Sequence, residues 1–301
     1  QNLQTLNLGG LSGTAGTSLS CGAKTSGGVL TWAVGGAGTD ETFSGIINNE
    51  AYGSTSNASG VTTIIKEGDG LWRLTGNNIY SGTTTVEGGS LIVNGYHSGG
   101  GKFFVNHGIL AGTGTLASDV EIMDTLQPGD NSIGTFHINK RLTLLPAAVV
   151  DVEINKTTAA WDKINVGGAM TYNGTIRVTL TGTAVAGDVY KIFNTADTVT
   201  GTFAQVIPAS PGAGLEWHFI PWSGELIVSQ PGFVNPPDSL ELSAATTDVP
   251  VPSSTVEVTW RDNSDNEDHF IVERSLNGIA FTEVAQPAAN ATAYTDNGLL
   301  P

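Results

Sequence analysis

The stretch 66–95, KEGDGLWRLTGNNIYSGTTTVEGGSLIVNG, constrains this chain more than any other. Leu71 and Leu74 flank Trp72, and Gly76, Asn77 and Asn78 supply a turn. Thr83, Thr85 and Glu87 alternate with Thr84 and Val86 before Gly88 and Gly89 turn the chain again. Leu91 and Val93 follow at period two, and Asn94 and Gly95 close the segment. Short alternating runs that end in Gly or Asn-Gly are strand signals. Thr and Val favour a pleated surface because their branched Cβ is stiff. Nothing recurs at helical spacing. Leu71, Leu74, Val86, Leu91 and Val93 are the candidate core of this segment.

The pattern returns along the chain. VNHGIL begins at Val105, VEIMDTL at Val120, INKRLTL at Ile138, VGGAMTY at Val166 and TIRVTL at Thr175. Successive units start roughly 15 to 20 residues apart, as in short solenoid repeats, and from about Leu142 they lengthen. Each unit is too small to bury its own apolar face, and stacking on a neighbour removes that exposure. A parallel coil in which each turn covers the previous one satisfies this pattern. The alternation of Val150, Val152 and Ile154 turns Asp151 and Glu153 outward.

The residues also carry a family resemblance. Gly68, Gly70, Leu71, Leu74, Thr75, Gly76, Asn77, Tyr80, Gly82, Thr84, Val86, Gly89, Leu91, Val93, Asn94 and Gly95 stand in order, followed by GTGTL from Gly112, PGDNS from Pro128 and GTF from Gly134. This resembles the autotransporter-associated, or passenger-associated, β-strand repeat of bacterial secreted proteins, over about residues 30–228. The resemblance implies a right-handed parallel β-helix outside the cell or on its surface. It implies no particular activity, because such repeats are carriers in very different proteins.

A second resemblance begins after the Pro-rich stretch 230–237. Leu242, Val256, Val258, Trp260, Phe270, Val272, Arg274, Ser275, Gly278, Phe281, Tyr294, Asp296 and Leu299 are similar to the start of a fibronectin type III module. Trp260 would anchor its core. That module has seven strands, and the sequence given stops where the sixth would begin, so the β-sandwich is incomplete. A continuing native chain, a strand supplied by a neighbouring subunit, or a poorly ordered tail would each account for this. The expected organisation is therefore an all-β chain: a parallel β-helix over 1–229, a linker over 230–237, and a fibronectin type III-like β-sandwich over 238–301.

Charge separates the two parts. The formal net charge is −16. From Gln230 onward 11 acids and 2 bases give −9, and the longer remainder carries −7. Nucleic acid is excluded as a partner, since phosphate binding needs clustered Lys and Arg. Polyanionic substrates and anionic membranes are disfavoured for the same reason. No apolar run reaches the ~20 residues of a spanning helix, so membrane insertion is not expected. Cys21 stands alone, which excludes an intrachain disulfide and leaves a small buried hydrophobe, a reactive thiol or an intermolecular bridge. The chain starts at Gln1 rather than Met, in keeping with an exported, processed form. Its first 39 residues hold one charge, Lys24, and no cap helix. Docking onto another coil, or preceding repeats outside this sequence, would explain that end.

Candidate chemistry is sparse. His97, His107, His137, His218 and His269 are scattered, with none at metal-ligand spacing. Asp262, Asp265 and Asp268 are weak candidates for a calcium site, since hard cations want several converging oxygens. A solvated connector explains them equally well. In the PGDNS turn, Asp130 and Asn131 are expected to satisfy local backbone groups. Asp151, Glu153 and Asp162 are near in sequence but do not form an evident catalytic pair. Trp217 and Trp222 are possible glycan contacts, or packing residues that cover the last coil. No nucleophile elbow or phosphate loop occurs, and no cofactor is implied. The sequence is best read as a non-enzymatic extracellular structural protein, a surface stalk or a subunit of a fibre assembled head to tail or by strand addition. The alternative is an adhesin or glycan-binding carrier module of a secreted polysaccharide-acting enzyme.

Overall fold

A computed structural model describes residues 4–21, 28–50, 60–195, 197–232, 237–245, 254–262, 267–275 and 279–299. The Ser-rich run 52–60, which the sequence reads as a surface loop, lies outside them except for Gly60, as do Asp265, Gly278 and residues 233–236 of the Pro-rich stretch. All regular structure among the described residues is strand. The chain divides into two compact units, Gln1–Pro231 and Gly232–Pro301.

The first unit is built on three sheets of parallel strands. One has nine strands and runs from Gln4–Leu8 to Val199–Gly201. The second runs through eight strands, from Glu41–Phe43 to Gln205–Ile207, with Ala160–Trp161 paired on one side. The third has five, from Tyr96–His97 to Phe193–Thr195. The chain visits the sheets in turn, so each circuit adds a rung, which is the connectivity of a β-helical solenoid.

The register gives the circuit length. In the first sheet Ile64, Thr84, Phe103, Val120, Leu142 and Met170 stand in line, steps of 20, 19, 17, 22 and 28 residues. The expected spacing of 15 to 20 therefore holds for the early coils, and the late coils lengthen as read from the sequence.

Alternation fills the interior. Trp72, Leu91, Leu110, Leu126, Val150 and Ile176 form an internal column of the second sheet, each at most 1% exposed. Leu74, Val86 and Val93 are buried as expected. Leu71 is not: it is half-buried beside Arg73 on the outer side. Leu71 and Leu74 are three residues apart, so a strand places them on opposite faces. Leu74 and Trp72 share the inner one.

Turn glycines let the rungs close. A Cβ at Gly76 would lie 1.9 Å from the Gly45 carbonyl oxygen, and one at Gly95 would lie 2.0 Å from that of Gly76. Only a residue without a side chain fits between backbones this close. At the far end the last coil is closed by a three-stranded antiparallel sheet, Val189–Lys191, Glu225–Ser229 and Glu216–Ile220. Phe219 of this sheet joins Tyr172, Phe193 and Phe203 in an aromatic cluster with ring centroids 4.8 to 5.8 Å apart.

The second unit contains a three-stranded antiparallel sheet in the order Asp238–Ala245, Ser254–Arg261, Ala293–Leu299, and a two-stranded ribbon of Val272–Arg274 with Thr282–Ala285. Trp260 is buried, with its ring 5.3 Å from Phe270. Arg274 donates to both carboxylate oxygens of Asp296, at 3.1 and 2.9 Å. Leu240, Leu242, Ile271 and Phe281 are all more than half exposed.

Candidate functional site

The two tryptophans proposed as a sugar platform do not share a surface. Trp217 lies on an inner position of Glu216–Ile220, 8% exposed, with its ring 6.2 Å from Tyr190. It packs over the last coil and offers no open face for stacking. Trp222 sits in the turn before Glu225–Ser229 and is half-buried.

The carboxylates near the long strand Val149–Asn155 separate into different roles. Asp151 and Glu153 are half-buried on its outer side, while Val150, Val152 and Ile154 point inward. Asp151 pairs with Arg177 of the next rung at 3.0 Å. Burial pushes its carboxyl pKa up, against the pull of Arg177. Asp162 is fully buried. Its Oδ1 accepts from the Gly134 N–H and its Oδ2 from the Glu153 N–H, both at 2.7 Å. Burial pushes the Asp162 carboxyl up to about 7, against these two hydrogen bonds. It ties one rung to the next from inside and is sealed from any substrate.

The histidines do not converge. His97 is buried between Tyr80 and Phe103, with ring centroids 4.5 and 5.0 Å away. Its Nε2 lies 3.1 Å from the Tyr80 carbonyl and its Nδ1 3.2 Å from Ser118 Oγ. A neutral ring that donates from Nε2 and accepts at Nδ1 satisfies both. Burial pushes its pKa down to about 4. His137 contacts Asn165 and His218 lies 3.7 Å from Glu216, while His107 and His269 are exposed. Asp262 is half-buried and Asp268 exposed. No group of three or more His, Cys, Asp or Glu side chains converges among the described residues.

Two polar arrangements were not read from the sequence. Lys66 is 1% exposed, and its ammonium donates to the carbonyls of Glu67, Gly68 and Gly88 at 2.7 to 3.0 Å. The signal was present: in VTTIIK, Thr62, Ile64 and Lys66 share one parity, so a buried Ile64 carries Lys66 inward with it. The other concerns Asp130. Its side chain does not serve its own turn but meets Arg73 Nε at 2.6 Å, Arg73 Nη2 at 2.8 Å and Asn94 Nδ2 at 2.8 Å. Asn94 Oδ1 in turn accepts from the Thr113 N–H. The hydrogen bonds from Arg73 hold the Asp130 carboxyl below the usual range. This column links successive rungs on the outside of the second sheet, and residues 57 apart cannot be paired from sequence spacing alone.

Stacked parallel rungs with internal polar ties define a β-solenoid, and comparison with known proteins points to its class. Residues 64–93 match the model of the passenger-associated transport repeat, inside the stretch whose glycines and leucines carry that resemblance. Over 158 residues, 49% of this chain, the sequence is 32% identical to the adhesin BmaC autotransporter of Brucella suis biovar 1 (strain 1330), covering 4% of that protein. It is 31% identical over 173 residues, 54% of the chain, to the extracellular serine protease of Serratia marcescens, 16% of that protein. It is 29% identical over 181 residues, 55% of the chain, to the Neisserial autotransporter lipoprotein NalP of Neisseria meningitidis serogroup B, 17% of that protein. The matches thus span less than a fifth of each relative's length. They place the chain outside the cell or on its surface. Among the described residues no helix is long and apolar enough to cross a membrane.

Proposed function

We propose that this chain is a non-enzymatic structural segment of an extracellular passenger: a right-handed parallel β-helical stalk over 1–229, a linker over 230–237 and a fibronectin type III-like β-sandwich over 238–301. One observation carries this reading. Related stretches occur in proteins named as an adhesin, a serine protease and a lipoprotein, and make up 4% to 17% of each. A segment common to proteins of such different description serves a shared architectural purpose. The uninterrupted internal column from Trp72 to Ile176 supports a mechanical role, because every rung is buried by its neighbours. In the fibre version of this reading the partner is a second copy, joined head to tail or by strand addition at the ribbon Val272–Arg274. Sedimentation velocity over a wide concentration range separates the versions. A single elongated monomer supports the stalk, and growth with concentration supports the fibre. A compact monomer at all concentrations would count against both.

The adhesin relative favours a second reading, in which the chain holds extracellular polysaccharide and Trp222 contributes a half-exposed aromatic face. Retention on a polysaccharide matrix, abolished by Trp222→Ala with the melting temperature unchanged, is the outcome this reading requires.

A further inference from the structure

The second sheet changes partway along the stack. Thr125–Pro128 pairs with the next strand only at Thr125 and Leu126, then leaves at Pro128 for the turn around Asp130. Val149–Asn155 and Thr175–Thr181 run on together for seven residues. The hairpin strand Ala160–Trp161 pairs antiparallel with Ile154 and Asn155 and takes the vacated side. Between this hairpin, the turn at Ser132 and Ile133, and the outer face of the two long strands lies a groove of about 410 Å³. That is within the usual volume of small-ligand sites, roughly 300–1,000 Å³.

We propose that this groove binds a neutral, hydroxyl-rich ligand, one or two units of a glycan chain. Its lining is the argument. Glu153 and Asn155 stand in register with Thr179 and Thr181, giving a carboxylate, an amide and two hydroxyls on one face. Ser132 adds a hydroxyl from the opposite wall, and Ile133 and Ala160 give apolar surface for the C–H face of a sugar ring. None of the described lining residues carries positive charge, which disfavours anionic ligands. Glu153 Oε2 is covered and has no hydrogen-bond partner. A buried acceptor without a donor is costly, and a ligand hydroxyl, met by rotation of the Glu153 side chain, supplies that donor. The groove is also held open from beneath. Asp162 binds the backbone N–H of Gly134, beside the Ile133 wall, and that of Glu153 on the floor, fixing the two relative to each other. Asp162 is thus a positioning residue. The site is independent of the stalk reading and differs from the Trp222 platform.

Saturation-transfer NMR on the full chain tests it, with maltose, cellobiose, lactose and N,N′-diacetylchitobiose as probes and a hyaluronan disaccharide as the anionic control. Transfer to at least one neutral sugar is expected, with none to hyaluronan. The exposed pair Thr179→Val and Thr181→Val is expected to weaken binding at least tenfold, and Trp222→Ala to leave it unchanged. Ser132→Ala, on the other wall, gives an independent reading should the double variant fold poorly, and is expected to weaken binding severalfold. Transfer to no neutral sugar overturns the proposal. So does binding that survives the groove substitutions in a folded chain, or binding that Trp222→Ala abolishes.

Discussion

The early coils and the late coils of the first unit solve the same stacking problem differently. Between Ile64 and Val120 the circuits are 17 to 20 residues long, and the corners are glycines pressed against the rung below. Gly45, Gly76, Gly95 and Gly114 form one such column, each hypothetical Cβ after the first within 2.2 Å of the preceding carbonyl oxygen. From Leu142 the circuits lengthen, reaching 28 to 30 residues. There the rungs are tied by side chains: Asp162 to two backbone amides, Lys156 to Asp188 at 2.5 Å, and Arg177 to Asp151. Both regions use both devices in different proportion: the short circuits rest on the glycine column with Lys66 satisfying three carbonyls, and the long circuits keep close glycines at Gly174 and Gly201 while adding ties such as Asp162. The polar groove lies in the long-circuit region, where the second sheet has room to part.

The largest effect should come from breaking the glycine column. Gly95→Val puts a branched side chain against the Gly76 carbonyl, and a loss of about 4 kcal/mol or more is expected in denaturant unfolding. Gly212→Ala, with its nearest neighbour 3.6 Å away, is the matched control and should change stability by less than about 0.5 kcal/mol. Lys66→Met comes next. It leaves the Glu67, Gly68 and Gly88 carbonyls buried without their donor, at a cost of about 3 kcal/mol.

The two buried titrating groups sharpen the contrast through pH. His97, in the early coils, falls from an ordinary 6.5 to about 4. Its neutral form therefore stabilises the fold fully above pH 6.5, and this contribution is lost as pH falls through about 4. Asp162, in the late coils, rises from 3.8 to about 7. Its contribution is full below pH 3.8 and is lost as pH rises through about 7. The two slopes oppose each other in the native chain. The two windows overlap between about pH 4 and 6.5, so melting temperatures of the native chain should be nearly flat there. His97→Gln should expose a decline with rising pH, and Asp162→Asn a decline toward acid, each on the order of 2–3 kcal/mol. The smallest effect is expected at Arg177→Ala. That pair is on the surface, with Arg177 half exposed, and its removal should cost less than about 1 kcal/mol.

Much of the coil was legible because alternation and turn chemistry are local. Val86, Leu91 and Val93 reveal their inward face by period two, and the glycines mark the corners. Leu71 misled because hydrophobicity was followed where parity should have decided. What stayed hidden depends on which residues become neighbours after a full circuit. Arg73 meets Asp130 only because two rungs of fixed length lie between theirs, and Asp162 is buried only because a hairpin fills the side vacated at Pro128. The groove at Glu153 and Thr179 follows from the same parting of strands and has no motif of its own.

The central claim is that consecutive segments stack in parallel and in register. Disulfide trapping tests it directly, in a Cys21→Ser background. Thr171, half-buried, and Thr200, exposed, are outward-facing neighbours on adjacent rungs, with their hydroxyl oxygens 3.2 Å apart. Adjacent strands lie ~4.8 Å apart, within disulfide reach, and strands two rungs apart lie beyond it. The stacked coil predicts that Thr171→Cys with Thr200→Cys oxidises to one intrachain disulfide, identified by peptide mapping, while Thr143→Cys with Thr200→Cys stays reduced. Failure of the first pair to cross-link, or equal cross-linking of both, would contradict it.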